Sequence, residues 1–439
     1  MKQNETPIMD RRKFIKKSSH AALGISALPL LSATSPARKY KLAIVGAGWW
    51  GMNILREAIA HGGSKVVGIC DVDQRALTAA KEEVNKLNGN RPKLYTDYRE
   101  LLTKENPDLV IVATPDHWHA LPAIMAMQEG AHVFLEKPIG HTIGEGRAIL
   151  NAARKYERNV QIDTHRRVSP HNISAMEFLR QGKVGQISSV KCFVNYGGGP
   201  GKSVPNEEAP KELDWDMWCG PAPYTEYNPR IHPKGFRQFL DYANGTIGDW
   251  GIHWFDQVLW WTEEKFPKTI FSTGGRHIKQ DNTTAPDTQY ALYEFESFTL
   301  HWEHKLAAKN AYEAGNVGCY FYGTKGTLHL GWRDGWTFYP SNKGGQIIHV
   351  EPTLHKPDDQ NIKELWTDFI TSIEEERRPI CDIEQGHRAT NISLLGMLSY
   401  NVGRSLKWDG EKELILDDPA ANLLLKRDYR GDWEYPSID

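Results

Sequence analysis

Cysteine is scarce in this sequence and never clustered: the five, Cys70, Cys192, Cys219, Cys319 and Cys381, are odd in number, widely spread and without a CxxC pair. That spacing argues against a disulfide framework and a cysteine-based zinc site. Charge of one sign is lacking too, since 53 basic residues face 55 acidic ones for a formal net charge of −2. No broad basic field is present to hold a nucleic acid. No segment reaches the roughly 18 uninterrupted apolar residues of a membrane-spanning helix, so the mature chain is expected to be soluble without membrane insertion. A GxSxG elbow is also missing, which argues against a serine nucleophile.

What is present is length, tryptophan and punctuation. At 439 residues the chain exceeds the size at which one core usually keeps growing, so two domains are expected. Fifteen tryptophans offer flat amphipathic rings suited to packing or to stacking on sugar faces. At the start, Arg11-Arg12-Lys13-Phe14-Ile15-Lys16-Lys17 precedes an apolar run from Ala21 to Leu31 and small residues at Ala33 and Ala37. This resembles a twin-arginine export signal over residues 1–37, with Asp10 where that pattern usually has Ser or Thr. Export of the folded chain to the periplasm is the expectation.

From Lys41 a short buried strand, Lys-Leu-Ala-Ile-Val, runs into Gly46-Ala47-Gly48-Trp49-Trp50-Gly51 and then a helical stretch to about His61. In that context Gly46 permits the tight turn, Gly48 lets the backbone approach a pyrophosphate, and Gly51 allows close helix packing. The helix N-terminus adds free amide donors. A second strand, Val66 to Cys70, ends in Asp71, twenty residues beyond Gly51, where a carboxylate meets the adenosine ribose. A 2′-phosphate would meet that negative charge and no arginine before Arg75, which favours NAD over NADP. Asp73 reads as the N-cap of the next helix. Strands at 109–113 and 132–135 continue the alternation and imply a doubly wound parallel sheet over residues 38–160.

Ligands of such sheets sit beyond the carboxyl ends of the strands, where Thr114-Pro115-Asp116-His117-Trp118-His119 and Glu136-Lys137-Pro138 fall. Oxidising an alcohol needs a group that takes the hydroxyl proton. Lys137, just past a buried strand, is the first candidate, with a solvated strand-end charge as the alternative. In Gly245-Thr246-Ile247-Gly248-Asp249-Trp250-Gly251-Ile252-His253, a helix would place Asp249 and His253 on one face, as two groups clamping a diol or as a local hydrogen-bonded pair.

Together, the glycine-rich turn, Glu136-Lys137-Pro138, and Asp249 followed by His253 resemble the glucose-fructose oxidoreductase, inositol dehydrogenase and rhizopine-catabolism (Gfo/Idh/MocA) family over nearly all of the chain after residue 37. The resemblance implies hydride exchange between a nicotinamide and a sugar-like alcohol, without a metal. It implies that Lys137 is the acid/base, His253 assists the proton or orients the hydroxyl, and Asp249 fixes substrate hydroxyls. It also implies that Trp49, Trp50, Thr114, Pro115, His117, Trp118, His119 and Glu136 line the cofactor, and that Arg166 or Arg167 reaches the nicotinamide amide or the substrate.

Beyond residue 160 the strands lengthen and become more polar, which implies an open, mainly antiparallel sheet in a second α/β domain over 161–439. One face should cover the site, and the family resemblance implies a homodimer or homotetramer through the other. The loop from Asp214 to Pro223 resembles a signature of exported family members and is a candidate wall of the cleft, Tyr196, Arg237, Tyr242 and Trp250 are candidates for sugar contact, and a late helix near 385–404 and the tail to Tyr435 should pack back. The favoured reading is an NAD-dependent dehydrogenase for a ring hydroxyl of a sugar or glycoside, with C3 of a pyranoside as the candidate carbon. One rival is an NAD-dependent glycosidase that oxidises, eliminates, hydrates and reduces; such enzymes resemble this fold but lack the lysine of Glu-Lys-Pro. The other is a non-catalytic sugar-binding protein.

Overall fold

The computed structural model describes residues 40–307, 313, 315–355 and 360–438. The twin-arginine-like segment lies outside them.

The first lobe is a parallel sheet of β1 (Tyr40–Val45), β2 (Ser64–Cys70), β3 (Lys93–Tyr95), β4 (Leu109–Val112), β5 (His132–Leu135) and β6 (Val160–Ile162). Its order is β3-β2-β1-β4-β5-β6. The crossover helices are α1 (Trp49–His61), α2 (Gln74–Asn88), α3 (Tyr98–Glu105), α4 (Ala120–Gln128) and α5 (Ile143–Lys155). Helices on both faces explain why β4 and the Leu42–Val45 part of β1 read as unbroken apolar runs: Leu42, Ile44, Val110 and Ile111 are all buried. Strand order reverses between β1 and β4, so a crevice opens beyond their carboxyl ends. Asp73 caps α2 by accepting from Arg75 N, and Thr142 with Glu145 forms a capping box on α5.

After α6 (Pro170–Arg180) the chain enters β7 (Ile187–Asn195), passes α7 (Trp215–Cys219) and α8 (Ile252–Trp261), and completes a second sheet. Its further strands are β8 (Thr269–Gly275), β9 (Thr288–Glu294), β10 (Thr299–Lys305), β11 (Val317–Gly323), β12 (Gly326–Gly331), β13 (Trp336–Pro340) and β14 (Ile348–Val350). Beyond α9 (Ile362–Glu374) and α10 (Ile383–Val402), β15 (Leu406–Asp409) and β16 (Leu414–Ile415) finish one edge, and α11 (Pro419–Leu423) follows. All pairings in this ten-stranded sheet are antiparallel except β7 with β10.

The pleat decides which residues face which way. Along β9, Gln289, Ala291 and Tyr293 are buried under α8 and α10, while Tyr290 and Leu292 stay exposed. Phe271, Tyr322, Tyr339 and Ile348 on other strands are exposed as well. Residues past α11 return to the parallel lobe. There Trp433 packs edge-on against Trp118 with ring centroids 4.8 Å apart, Arg427 Nε lies 2.9 Å from Glu145 Oε1, and Tyr435 hydrogen-bonds Thr142 Oγ1 at 2.8 Å.

Candidate active site

The crevice beyond β1 and β4 is shaped by glycine. Gly46 has φ +95°, and a Cβ there would stand 2.5 Å from Ala113 O. At Gly51 a Cβ would stand 2.2 Å from Gly46 O, whereas nothing lies within 4 Å of the same point at Gly48. Helix α1 begins at Gly48 with no side-chain cap and no acid in its first turn, so its leading amides are left for an anion. Asp71 is held in place by Ala47 N at 2.7 Å and Asp73 N at 3.0 Å, and burial pushes its carboxyl up to about 6. The cavity is about 310 Å³ and is lined by Gly46, Gly48, Asp71, Thr114, Pro115 and Trp118, among others. Met217 and Trp218 from the short α7 complete a wall. A cradle bare of Cβ atoms, a helix N-terminus without a cap, and a carboxylate at the next strand end fit a dinucleotide.

A second chamber of about 290 Å³ adjoins this crevice, and Trp49, Trp50, Glu136 and Arg237 line both. Lys137 enters it from the end of β5, where its Nζ donates to Asp249 Oδ1 at 2.7 Å and to Asp249 O at 2.9 Å. The Lys137-Pro138 bond is cis. Arg237 approaches the same Asp249 oxygen at 3.0 Å. The two cations hold the Asp249 carboxyl below the usual carboxylate range despite burial. Glu136 Oε1 accepts from Trp50 Nε1 at 2.5 Å, and Trp50 Nε1 also lies 2.7 Å from Asp163 Oδ2. Burial and the neighbouring Asp163 carboxylate push Glu136 well up, so this acid holds its proton strongly.

His253 faces the chamber in the opposite electrical state. Burial, then the Lys137 and His165 charges, push it well down, so its ring is neutral. Its Nδ1 is buried with no hydrogen-bond partner among the described residues. His165, Trp250 and Trp332 surround the ring with centroids 5.2, 5.8 and 5.0 Å away.

Several sequence-based expectations need correction. Residues Ile247–Gly251 form a π-helical turn, the irregular start that the glycines at 245, 248 and 251 imply, and α8 begins only at Ile252. Asp249 and His253 both line the chamber, but Asp249 turns to Lys137 and Arg237 rather than to His253. His117 and His119 do not line the cofactor cavity. His117 Nε2 meets Trp218 O at 2.9 Å, while His119 bridges Pro138 O and Thr114 O at 2.6 and 2.9 Å. Buried carbonyls take up those rings, which makes them scaffolding for the strand ends. Tyr242 likewise lies buried against His117 and Trp218. Arg167 is spent on Asp256 in a buried pair with contacts of 2.8 and 2.9 Å. Arg166 is buried with its guanidinium 3.7 Å from the Trp332 ring centroid, and none of its three guanidinium nitrogens has a hydrogen-bond partner among the described residues. Burial lowers it to about 9.

Sequence reasoning missed Trp332 and Arg333, which follow β12, Gln360, which precedes α9, and the Asp116 carboxyl, which is buried beside Arg237, Asp249 and Lys137 and pushed up to about 7. Only Asp116, set among the strand-end residues already singled out, carried a local signal.

The family description "Oxidoreductase family, NAD-binding Rossmann fold" matches residues 40–164, and "Oxidoreductase family, C-terminal alpha/beta domain" matches residues 191–435. The chain therefore belongs to the Gfo/Idh/MocA oxidoreductase family. A glycosyl hydrolase family 109 protein of Shewanella pealeana is 27% identical over 202 residues, 41% of this chain and 44% of that protein. An alpha-N-acetylgalactosaminidase of Shewanella oneidensis is 29% identical over 151 residues, 34% of this chain and 33% of that protein. The chain thus spans less than half the length of these curated relatives. Among solved structures, an aldose-aldose oxidoreductase from Caulobacter crescentus complexed with glycerol superposes with a TM-score of 0.63 at 19% identity, over 84% of this chain and all of that one. The WlbA dehydrogenase from Bordetella pertussis in complex with NADH and UDP-GlcNAcA gives 0.62 at 17%, over 85% and 99%. At those identities the likeness is one of fold.

Proposed function

We propose that this chain is an NAD-dependent oxidoreductase acting on a ring hydroxyl of a sugar or glycoside. The observation that carries the reading is the Lys137 ammonium, fixed by Asp249 in a chamber that opens onto the glycine-rich crevice. Two of its three N–H donors are spent on Asp249, which leaves one position for a substrate oxygen. When the sugar is formed by reduction, Lys137 gives its proton to the carbonyl oxygen; in the oxidative direction the free amine takes the hydroxyl proton. Neutral His253, with an unused Nδ1, orients that oxygen, and Arg237 keeps Asp249 ionised. NAD, held by the Gly46–Gly51 turn and the Asp71 carboxylate, would supply the hydride acceptor for the sugar carbon. The Asp71 carboxylate beside the crevice supports NAD over NADP, and twin-arginine export of a folded chain with a tightly held dinucleotide accounts for Arg11 and Arg12. The exposed row of Phe271, Tyr290, Leu292, Tyr322 and Tyr339 supports a homodimer or homotetramer through the open sheet face.

Purified protein supplied with NAD and a panel of glycosides and polyols should form NADH. No NADH with any of them, and no aglycone release, overturns the reading. A native mass spectrum of protein from the native cell reports whether NAD co-purifies, how many chains associate and whether residues 1–37 are removed. Uncleaved protein in the cytoplasm counts against export.

A second reading, an NAD-dependent glycosidase, is favoured by the family 109 and alpha-N-acetylgalactosaminidase relatives. It begins with the same ring oxidation and returns the hydrogen after the aglycone leaves. Release of a chromogenic aglycone without net NADH would select it.

A further inference from the structure

Beyond the reaction chamber lies a third cavity, of about 540 Å³, larger than the chamber itself. Asp249 and Trp250 line both, so the crevice, the chamber and this outer cavity adjoin in series. The junction is aromatic. The Tyr196 and Trp250 rings stand edge to face with centroids 5.7 Å apart, and Trp332 backs Trp250 at 4.8 Å.

The remaining wall is polar, and part of it is already committed. Asp287 spends its carboxylate on the amides of His277, Ile278 and Lys279 at 3.2, 2.7 and 2.7 Å. Asp281 accepts from Thr283 and pairs with Arg276. Other groups keep donors to spare: the charge of the half-buried Lys279 ammonium helps hold the Asp281 carboxyl down, yet no described residue accepts a hydrogen bond from it, and Arg230 Nε is buried without an acceptor among the described residues while its Nη2 reaches Lys202 O. Gln238 gives its amide nitrogen to Thr246 Oγ1 at 3.2 Å, which leaves its carbonyl oxygen to accept. Aromatic rings at one end with spare donors and an acceptor along the wall match the apolar faces and hydroxyl edges of a sugar ring. Cations and carboxylates of the wall are interleaved, so a charged ring would be attracted by one and repelled by the next.

We propose that this outer cavity binds a second, uncharged sugar ring, joined glycosidically to the ring that reacts in the chamber. The substrate is then a disaccharide or longer glycoside rather than a free monosaccharide. The inference rests on the oxidoreductase reading for the identity of the reacting ring.

The test compares disaccharides with the methyl glycosides of their reacting rings, on the full chain loaded with NAD. Affinity is measured by calorimetry and turnover by NADH. At least one disaccharide should bind about tenfold more tightly than its methyl glycoside, a difference of about 1.4 kcal/mol. Lys279→Ala and Gln238→Ala should each shrink that ratio, with unchanged NAD binding reporting an intact fold. A ratio near one for every pair, or a ratio that survives both substitutions, overturns the proposal. Tight disaccharide binding with neither NADH formation nor cleavage of the glycoside would keep the outer site and overturn the oxidoreductase reading instead.

Discussion

Lys137 Nζ lies 2.7 Å from Asp249 Oδ1, although 112 residues separate the two along the chain. One comes from the end of a parallel strand and the other from a π-helical turn, and each owes its place to a different lobe. Replacing Lys137 with Ala should lower kcat/KM by roughly a hundred- to ten-thousandfold, the range for loss of a general acid or base. NAD affinity, measured by calorimetry, should change little, because the crevice glycines are untouched.

Two glycines of the turn should respond differently. Gly51→Ala forces a Cβ to within 2.2 Å of Gly46 O, so the variant should lose thermal stability. Gly48→Ala meets no protein atom within 4 Å, so its melting temperature should hold. The added methyl instead occupies the approach to a pyrophosphate, and NAD affinity should fall about tenfold or more.

Arg167 is predicted to matter for folding rather than for substrate. Its guanidinium and the Asp256 carboxylate are both buried, and removing one partner strands the other charge. Arg167→Ala should cost about 3–5 kcal/mol in chemical denaturation. A loss of activity at unchanged stability would return Arg167 to the substrate.

Asp116 gives a pH prediction. Burial pushes its carboxyl up to about 7 from an ordinary 3.8, with the cations of Arg237 and Lys137 opposing and the Asp249 carboxylate adding to the shift. Between those values the folded chain holds a proton that the unfolded chain has released. This contribution to stability is complete below pH 3.8 and is lost as pH rises through about 7. Roughly three pH units bound the effect at about 4 kcal/mol. Asp116→Asn should therefore gain stability over the native chain at pH 8 but not at pH 4, measured by denaturant titration at both. Asp71 and Glu136 shift in the same direction and leave a residual slope.

The nucleotide crevice was legible because its parts are close in sequence. Gly46, Gly48 and Gly51 sit on one turn, and Asp71 ends the next strand. Lys137, Asp249 and His253 were found through family resemblance, since nothing local ties position 137 to position 249. His117, His119 and Arg167 were misplaced because a polar residue at a strand end looks the same whether it meets a ligand or a buried partner. Their partners, Trp218 O, Pro138 O and Asp256, are fixed only by tertiary packing. Trp332 and Arg333 had no signal, since they lie in the turn between β12 and β13, whose place over the chamber depends on a sheet register that sequence does not set.

The return of the chain to the parallel lobe has a bearing on synthesis. Thr142 finds Tyr435 293 positions later, and His117 O accepts from Arg427 310 positions later. A ribosome finishes the strands of this lobe at Ile162, yet the loop beyond β4 that walls the nucleotide crevice gains its outer support only when residues near 430 emerge. A nascent chain arrested between the two would hold every strand of the parallel sheet and still lack the Arg427 and Trp433 contacts that brace this loop.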